Sequence, residues 1–529
     1  MPANFAHRLL KVGLIYLSFL IAGSVTRAQD VVTYHNDNGR TGQYRETTLT
    51  TSNVNSSQFG LLFNTTLDGI VDAQPLYLTS VAIPGKGTHN VIYMVTENDS
   101  VYAIDADNGT ILWQVSVLGS GEVPSDDHGC SQISPQIGIT ATPVIDRSIG
   151  PNGTIYLVSM SKKSGVYFQR IHALDITTGQ EQFGGPRTVQ ARYPGTGDNS
   201  HNGHVIFDPA QYAERQGLLL LNHILYTAWT SHCDARPYTG WIMGYDSRTL
   251  APFSVLNITP NGIESAIWQA GAGMAADANS MYFLAGNGTF DTTLNANGFP
   301  VNGNFGNGFL RVGLKNNKLR VLDYFNMFNT VEESDADTDL GSGGAMLLPP
   351  LKDSQGNTQL LAIGAGKDTN IYIVDRTNMG KFDPDKNNIY QEIDDALGGG
   401  IWSMPAYFNQ SVYYGPVGNK LMQFKFTNAK LSTSPVSTTS NTFTYPGTTP
   451  AVSANGKTNG IVWAIEHASG SVLHAYDATS LAKELYNSNQ AANSRDHFGT
   501  ASKFGTPMIA HGKVYVGTRN SVAAFGLLP

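Results

Sequence analysis

In residues 266–291, AIWQAGAGMAADANSMYFLAGNGTFD, a tryptophan precedes an asparagine by nineteen positions. The asparagine, Asn287, stands between two glycines after a strand-like run, residues 280–285. An indole offers a planar apolar face, and an amide oxygen can ligate a hard cation. Trp268 and Asn287 could thus be the floor and one ligand of a cofactor site, or one more piece of a large β-protein. Downstream, Asp339 ends the acidic run EESDADTD, and Lys367 follows in GKDTNIYIVD. A carboxylate can take a proton from a hydroxyl, and an ammonium can stabilise developing negative charge. Each residue also has a plainer role. Trp268 can pack where sheets meet, and Asn287 suits a left-handed turn. Asp339 can belong to a solvated loop, and Lys367 to a surface turn. The thirteen histidines show no metal-ligand spacing, and YHNDNGRTG, with His35 and Arg40, reads as loop structure. No Cys-x-x-Cys-His haem motif occurs.

The elements that must position these residues are β-strands. Charged residues make up only 14% of the 529 positions and glycine reaches 56, a balance that suits a turn-rich all-β chain. The N-terminus reads as a secretory signal over 1–28: His7, Arg8 and Lys11, an apolar core at 12–23, and small residues before Ala28. The alternative is an uncleaved anchor. Cleavage predicts an exported protein, periplasmic or extracellular, with no transmembrane segment left. It removes Arg8, Lys11 and Arg27 and no acid, so the formal charge falls from −8 to −11. That charge argues against nucleic acid as a partner. Two cysteines, Cys130 and Cys233, can pair in an oxidising compartment or remain as two buried thiols.

The chain also repeats itself. VIYMVTENDSVYAIDADNGTILWQV and the unit after it share an Ala-x-Asp, a Gly four residues on and an aromatic eight on: Asp105, Gly109, Trp113 and Asp175, Gly179, Phe183. The Asp can close the turn, Gly takes a positive φ, and the aromatic packs between sheets. Weaker copies bring the count to eight, and the last lacks a fourth strand. FGLLFNTTLDG, residues 59–69, can supply it and close a ring. The expectation is one all-β domain, a single eight-bladed β-propeller of four-stranded blades over 59–529, with 29–58 as an N-terminal arm. Insertions at 185–216 and 288–307 are expected as loops on one face.

The eight units and AIDADNGTILW resemble the pyrroloquinoline-quinone (PQQ) repeat propellers. That family includes quinoprotein alcohol dehydrogenases and a non-enzymatic scaffold lipoprotein of bacterial outer-membrane assembly. The resemblance implies roles for particular residues. Trp268 falls where the family has the floor under the quinone, and Asn287 where an asparagine ligates calcium. Asp339 falls on the catalytic base, which also sits at the metal, with Thr338 in place of a family Trp. Lys367 falls on a Lys or Arg beside the quinone, and Trp402 on a cofactor-facing strand. Asp234 lies near the calcium-binding Glu, and Gln136 near a cofactor-binding Arg. The family's adjacent cysteine pair is reduced to Cys130. The register puts Cys130 and Cys233 on loops of adjacent units at one face, which implies a bridge between them.

The implied function is an exported quinoprotein-like oxidoreductase using PQQ and Ca²⁺ on an alcohol or sugar, with a separate electron acceptor. The alternative is a non-catalytic propeller that binds a protein, glycan or cell-envelope component. In either case a monomer is expected.

Overall fold

Alternating apolar residues drive the repeats into strands, and neighbouring sheets bury both faces of the central ones. Val91, Ile92, Tyr93, Met94 and Val95 are all buried in one strand of the first unit. The computed structural model describes residues 29–468 and 470–529. The expected signal segment, 1–28, lies outside the described residues. The described chain is all-β, built from many four-stranded antiparallel sheets. The first sheet joins Leu76–Ile83, Gly87–Val95, Ser100–Asp105 and Ile111–Ser116 in order. Similar sheets follow, with central strands at Thr154–Lys163, Ile224–Thr230, Ser280–Leu284, Leu361–Gly364, Ser411–Tyr414, Thr458–Glu466 and Lys513–Gly517.

The Asp-Gly-aromatic signature has a physical role. Asp105 Oδ1 accepts a hydrogen bond from Asp107 N at 2.8 Å, and Gly109 takes φ 78°. In the next unit Asp175 Oδ1 accepts from Thr177 N at 2.8 Å, and Gly179 takes φ 72°. A Cβ on Gly179 would stand 2.9 Å from the Trp113 ring, so the aromatic of one sheet lies on the turn glycine of the next. Phe63 does the same to Gly109, where a Cβ would stand 2.6 Å from its ring. Phe63 belongs to Phe59–Thr66, which pairs antiparallel with Ser521–Leu527 from Phe59↔Leu527 to Thr66↔Ser521. One apolar core runs through the first and last sheets, with Tyr77 stacked on Tyr515 at 6.5 Å.

The segment before Phe59 runs beneath successive sheets. Val31 exchanges backbone hydrogen bonds with Tyr77, Val32 O accepts from Ile145 N, and Asn38 O accepts from Ala276 N. Gly39, Thr41 and Gly42 carbonyls then accept from Leu347, Tyr407 and Val452, and Glu46 Oε2 accepts from Gly512 N. Within this arm His35 and Arg40 are buried. Arg40 donates to the carbonyls of Tyr34 and Met274 at 2.8 and 2.9 Å and to Thr33 Oγ1 at 2.7 Å. The insertion 185–216, expected as loop, contains a small three-stranded sheet of Arg192–Pro194, Ser200–His201 and His204–Ile206. Among the described residues, no helix is long and apolar enough to cross a membrane.

Candidate functional site

Loops from several sheets meet around a cavity of about 380 Å³. Asp234, Trp268, Asp339, Lys367 and Trp402 all line it. Glycines make the convergence possible. A Cβ on Gly341 would lie 2.3 Å from Gly286 Cα, so two loops touch backbone to backbone beside Trp268 and Asp339. A Cβ on Gly286 would meet the Trp268 indole at 3.2 Å. Trp268 itself is half-buried and leads into a short 3-10 turn, Gln269–Gly271.

Asp339 is buried, and its backbone carbonyl accepts from Lys367 N at 2.9 Å. Lys367 Nζ lies 2.8 Å from Asp339 Oδ1 and also contacts Asp337. Burial pushes the Asp339 carboxyl above its ordinary pKa, and the nearby ammonium offsets this only in part. Burial pulls Lys367 down, but Asp339 and Asp337 outweigh it and raise its pKa. The site therefore holds a charged lysine against a carboxyl with heightened proton affinity.

Of the residues expected as calcium ligands, Asp234 and Asp339 line the main cavity, but Asn287 does not join them. Asp234 Oδ1 accepts from Tyr238 Oη at 2.7 Å and Ser231 Oγ at 3.5 Å. Asn287 lies outside the main cavity, in a neighbouring one with Glu264 and Asp337, and its amide reaches Asp337 Oδ1 at 3.4 Å. Among the described residues no three His, Cys, Asp or Glu side chains are grouped to hold a metal. The cation between Asp337 and Asp339 is the Lys367 ammonium. These residues do not fit calcium. Gln136 is also outside the cavity: its amide is spent on Glu97 O at 2.9 Å and Asn98 Oδ1 at 3.2 Å. Cys130 and Cys233 are joined in a disulfide with Cα atoms 5.6 Å apart, and Cys233 borders the cavity.

Sequence reasoning missed Arg215, Ser342, Tyr445 and Phe504, which also line the cavity. Arg215 is 4% exposed, and its guanidinium carbon lies 4.0 Å from the Phe504 ring centre and 5.7 Å from that of Trp268. Arg215 Nη2 and Ser342 Oγ are buried without hydrogen-bond partners. Burial lowers the Arg215 pKa, against the fields of Asp72, Tyr445 and Glu97. The available signal was the polar run Glu214-Arg215-Gln216, set directly before an inner strand. An aromatic face, two cations and an orphaned guanidinium nitrogen do fit a planar anion such as PQQ.

One other constellation has nucleophile-like geometry. Ser159 Oγ lies 2.9 Å from His172 Nε2, and His172 Nδ1 contacts Glu181. Ser159 and His172 are 2% and 1% exposed, so a substrate cannot reach the hydroxyl, and the relay ties strands together.

No family model matches the sequence, and no curated protein matches it. Solved structures do. The quinohemoprotein alcohol dehydrogenase of Comamonas testosteroni superposes with a TM-score of 0.61 at 15% identity, over 94% of this chain and 80% of that one. The quinohemoprotein alcohol dehydrogenase ADHIIG of Pseudomonas putida HK5 gives the same TM-score and coverages at 12% identity. The chain has the propeller fold of the quinohemoprotein alcohol dehydrogenases. At such identity the likeness concerns this propeller's fold alone.

Proposed function

We propose that this propeller is an exported, monomeric, quinone-dependent oxidoreductase of the alcohol-oxidising type, working without calcium. In this reading it has eight blades, closed by Phe59–Thr66, with 29–58 as a basal arm. The observation that carries the reading is the convergence of Trp268, Asp339, Lys367 and Trp402 on one cavity. PQQ, when bound, supplies the hydride acceptor. Trp268 offers the stacking face, and Lys367 supplies positive charge beside the ring. Asp339 holds the position of proton acceptor for a substrate hydroxyl, and burial strengthens its basicity. Trp402, Tyr445 and Phe504 give the cavity a further aromatic lining.

The test is a titration of the protein with PQQ, with and without calcium, followed by tryptophan fluorescence, and then dye reduction with alcohols. Saturable binding unaffected by a calcium chelator, with alcohol-dependent reduction, supports the reading. Absence of binding at millimolar PQQ rejects it. The unmet calcium set favours a second reading, a non-catalytic propeller that binds an envelope or extracellular partner. PQQ binding without turnover on any alcohol or sugar would move the choice towards it.

A further inference from the structure

The small sheet inserted after the second repeat carries two histidines that its turn brings face to face. His201 ends Ser200–His201, His204 begins His204–Ile206, and the two are direct partners across the antiparallel pair. Asn202 and Gly203 between them take φ 50° and 72°, the left-handed pair that a two-residue hairpin turn requires. Residues directly opposite across such a pair share one face of the sheet, with Cβ atoms about 4.5–5.5 Å apart. That face is the outer one. Val205, the next residue, is buried in an apolar cluster against which Tyr193 packs. His204 is partly exposed, and its two cross-strand partners, His201 and Pro194, are exposed. The proline side chain has no polar atom to occupy either imidazole. His204 Nδ1 lies 3.1 Å from the carbonyl oxygen of Asn202. A proton on Nδ1 makes this a hydrogen bond and leaves the Nε2 lone pair free, the orientation by a carbonyl that metal-ligating histidines ordinarily show. The segment His-Asn-Gly-His does not announce this arrangement. On an unbroken strand, positions three apart point to opposite faces, and only the turn unites them.

We infer that His201 and His204 form a two-histidine surface site for a late first-row divalent metal, copper(II) foremost. Imidazole nitrogens suit such ions, and affinity for them rises along the row to copper. Water fills the remaining positions, since two protein ligands do not close a coordination sphere. Neither histidine lines the main cavity, so the inference stands whether or not that cavity takes a quinone.

The test uses the untagged protein and copper(II) held by iminodiacetate, a chelate that leaves room for two imidazoles and competes copper away from weaker sites. Wild type, His201→Ala, His204→Ala and the double variant are compared by calorimetry and by electron spin-echo modulation. Wild type should bind one copper more than the double variant. Each single variant should bind it at least about tenfold more weakly, because the second imidazole of the pair adds intramolecularly. The modulation should report two imidazoles on the copper in wild type and one in either single variant. Both side chains lie on the outer face of a surface hairpin, so metal-free unfolding midpoints should match across the set, which separates lost binding from lost folding. Equal stoichiometry in wild type and the double variant, or a single variant that binds as tightly as wild type, overturns the site. A wild-type spectrum with only one imidazole overturns it whatever the variants do.

Discussion

The ammonium nitrogen of Lys367 stands 2.8 Å from Oδ1 of Asp339. Both side chains are largely withdrawn from solvent, at 19% and 2% exposure. Removing one partner of such a pair strands the other charge. Lys367→Met should therefore cost about 3–5 kcal/mol. It should also raise the Asp339 pKa further, because the ammonium that lowers it is gone. Adding Asp339→Asn should restore much of the loss, since no charge is then left behind. Urea unfolding of both single variants and the double variant measures the coupling. Strictly additive losses would dissolve the pair as an energetic unit.

The helix Thr330–Asp335 borders the site and carries Glu333, whose carboxyl is pushed up to about 8, chiefly by burial and further by Asp368. Its folded pKa thus lies above its unfolded one, and the native state binds the proton more tightly. The stability it contributes is complete below the ordinary glutamate range and drains away as pH rises to about 8. Glu333→Gln should flatten this part of the stability–pH curve. Denaturant unfolding at intervals from pH 4 to pH 9 is the measurement, and a slope that survives the substitution would refute the assignment.

Cys130 and Cys233 close a loop spanning 103 positions. In the chain-entropy treatment a loop of that order contributes up to roughly 4–5 kcal/mol. Unreduced, denatured protein should show no titratable thiol, and Cys130→Ala with Cys233→Ala should lower the unfolding midpoint. Two reactive thiols per chain would exclude the bridge.

Trp268 faces the cavity with only part of its indole buried, so its removal should affect binding more than folding. By analogy with bases stacked on aromatic side chains, Trp268→Ala should weaken PQQ binding by about 1–3 kcal/mol. Calorimetry measures it, and unchanged affinity would remove the indole from the binding surface.

The sheets were legible because their turn chemistry is local: Asp105 and Asp175 announce their own turns, and Gly109 and Gly179 their positive φ. Trp268, Asp339, Lys367 and Trp402 were legible only through the resemblance to the quinoprotein motifs, and all four line one cavity. Asn287 and Gln136 were not. Register places a backbone to within a residue or two, whereas a side chain's direction follows from its nearest polar partner, here Asp337 and Glu97. Arg215 was hidden for another reason: a charge flanking an apolar run ordinarily points to solvent. The arm's path left no trace either, because its backbone hydrogen bonds and single side chains such as His35 and Arg40 follow no repeat.

Arg40 and Gly273 together test that arm. The Arg40 guanidinium threads beneath the sheets and donates to Met274 O at 2.9 Å and, more weakly, to Leu218 O at 3.4 Å. Gly273 makes room for it: a Cβ there would lie 2.8 Å from Arg40 Nη2. Arg40→Ala should cost at least about 3 kcal/mol, since it removes several charge-assisted hydrogen bonds and strands buried carbonyls. Gly273 lies outside the positive-φ region, so alanine is conformationally allowed there, and the cost of Gly273→Ala should be the clash alone, about 1–3 kcal/mol. That cost should vanish once Arg40 is alanine, because the added methyl then occupies space the guanidinium has left. Urea midpoints of both single variants and the double variant decide it. A Gly273→Ala penalty that persists without Arg40 would mean the clash lies elsewhere and the guanidinium does not fill this space.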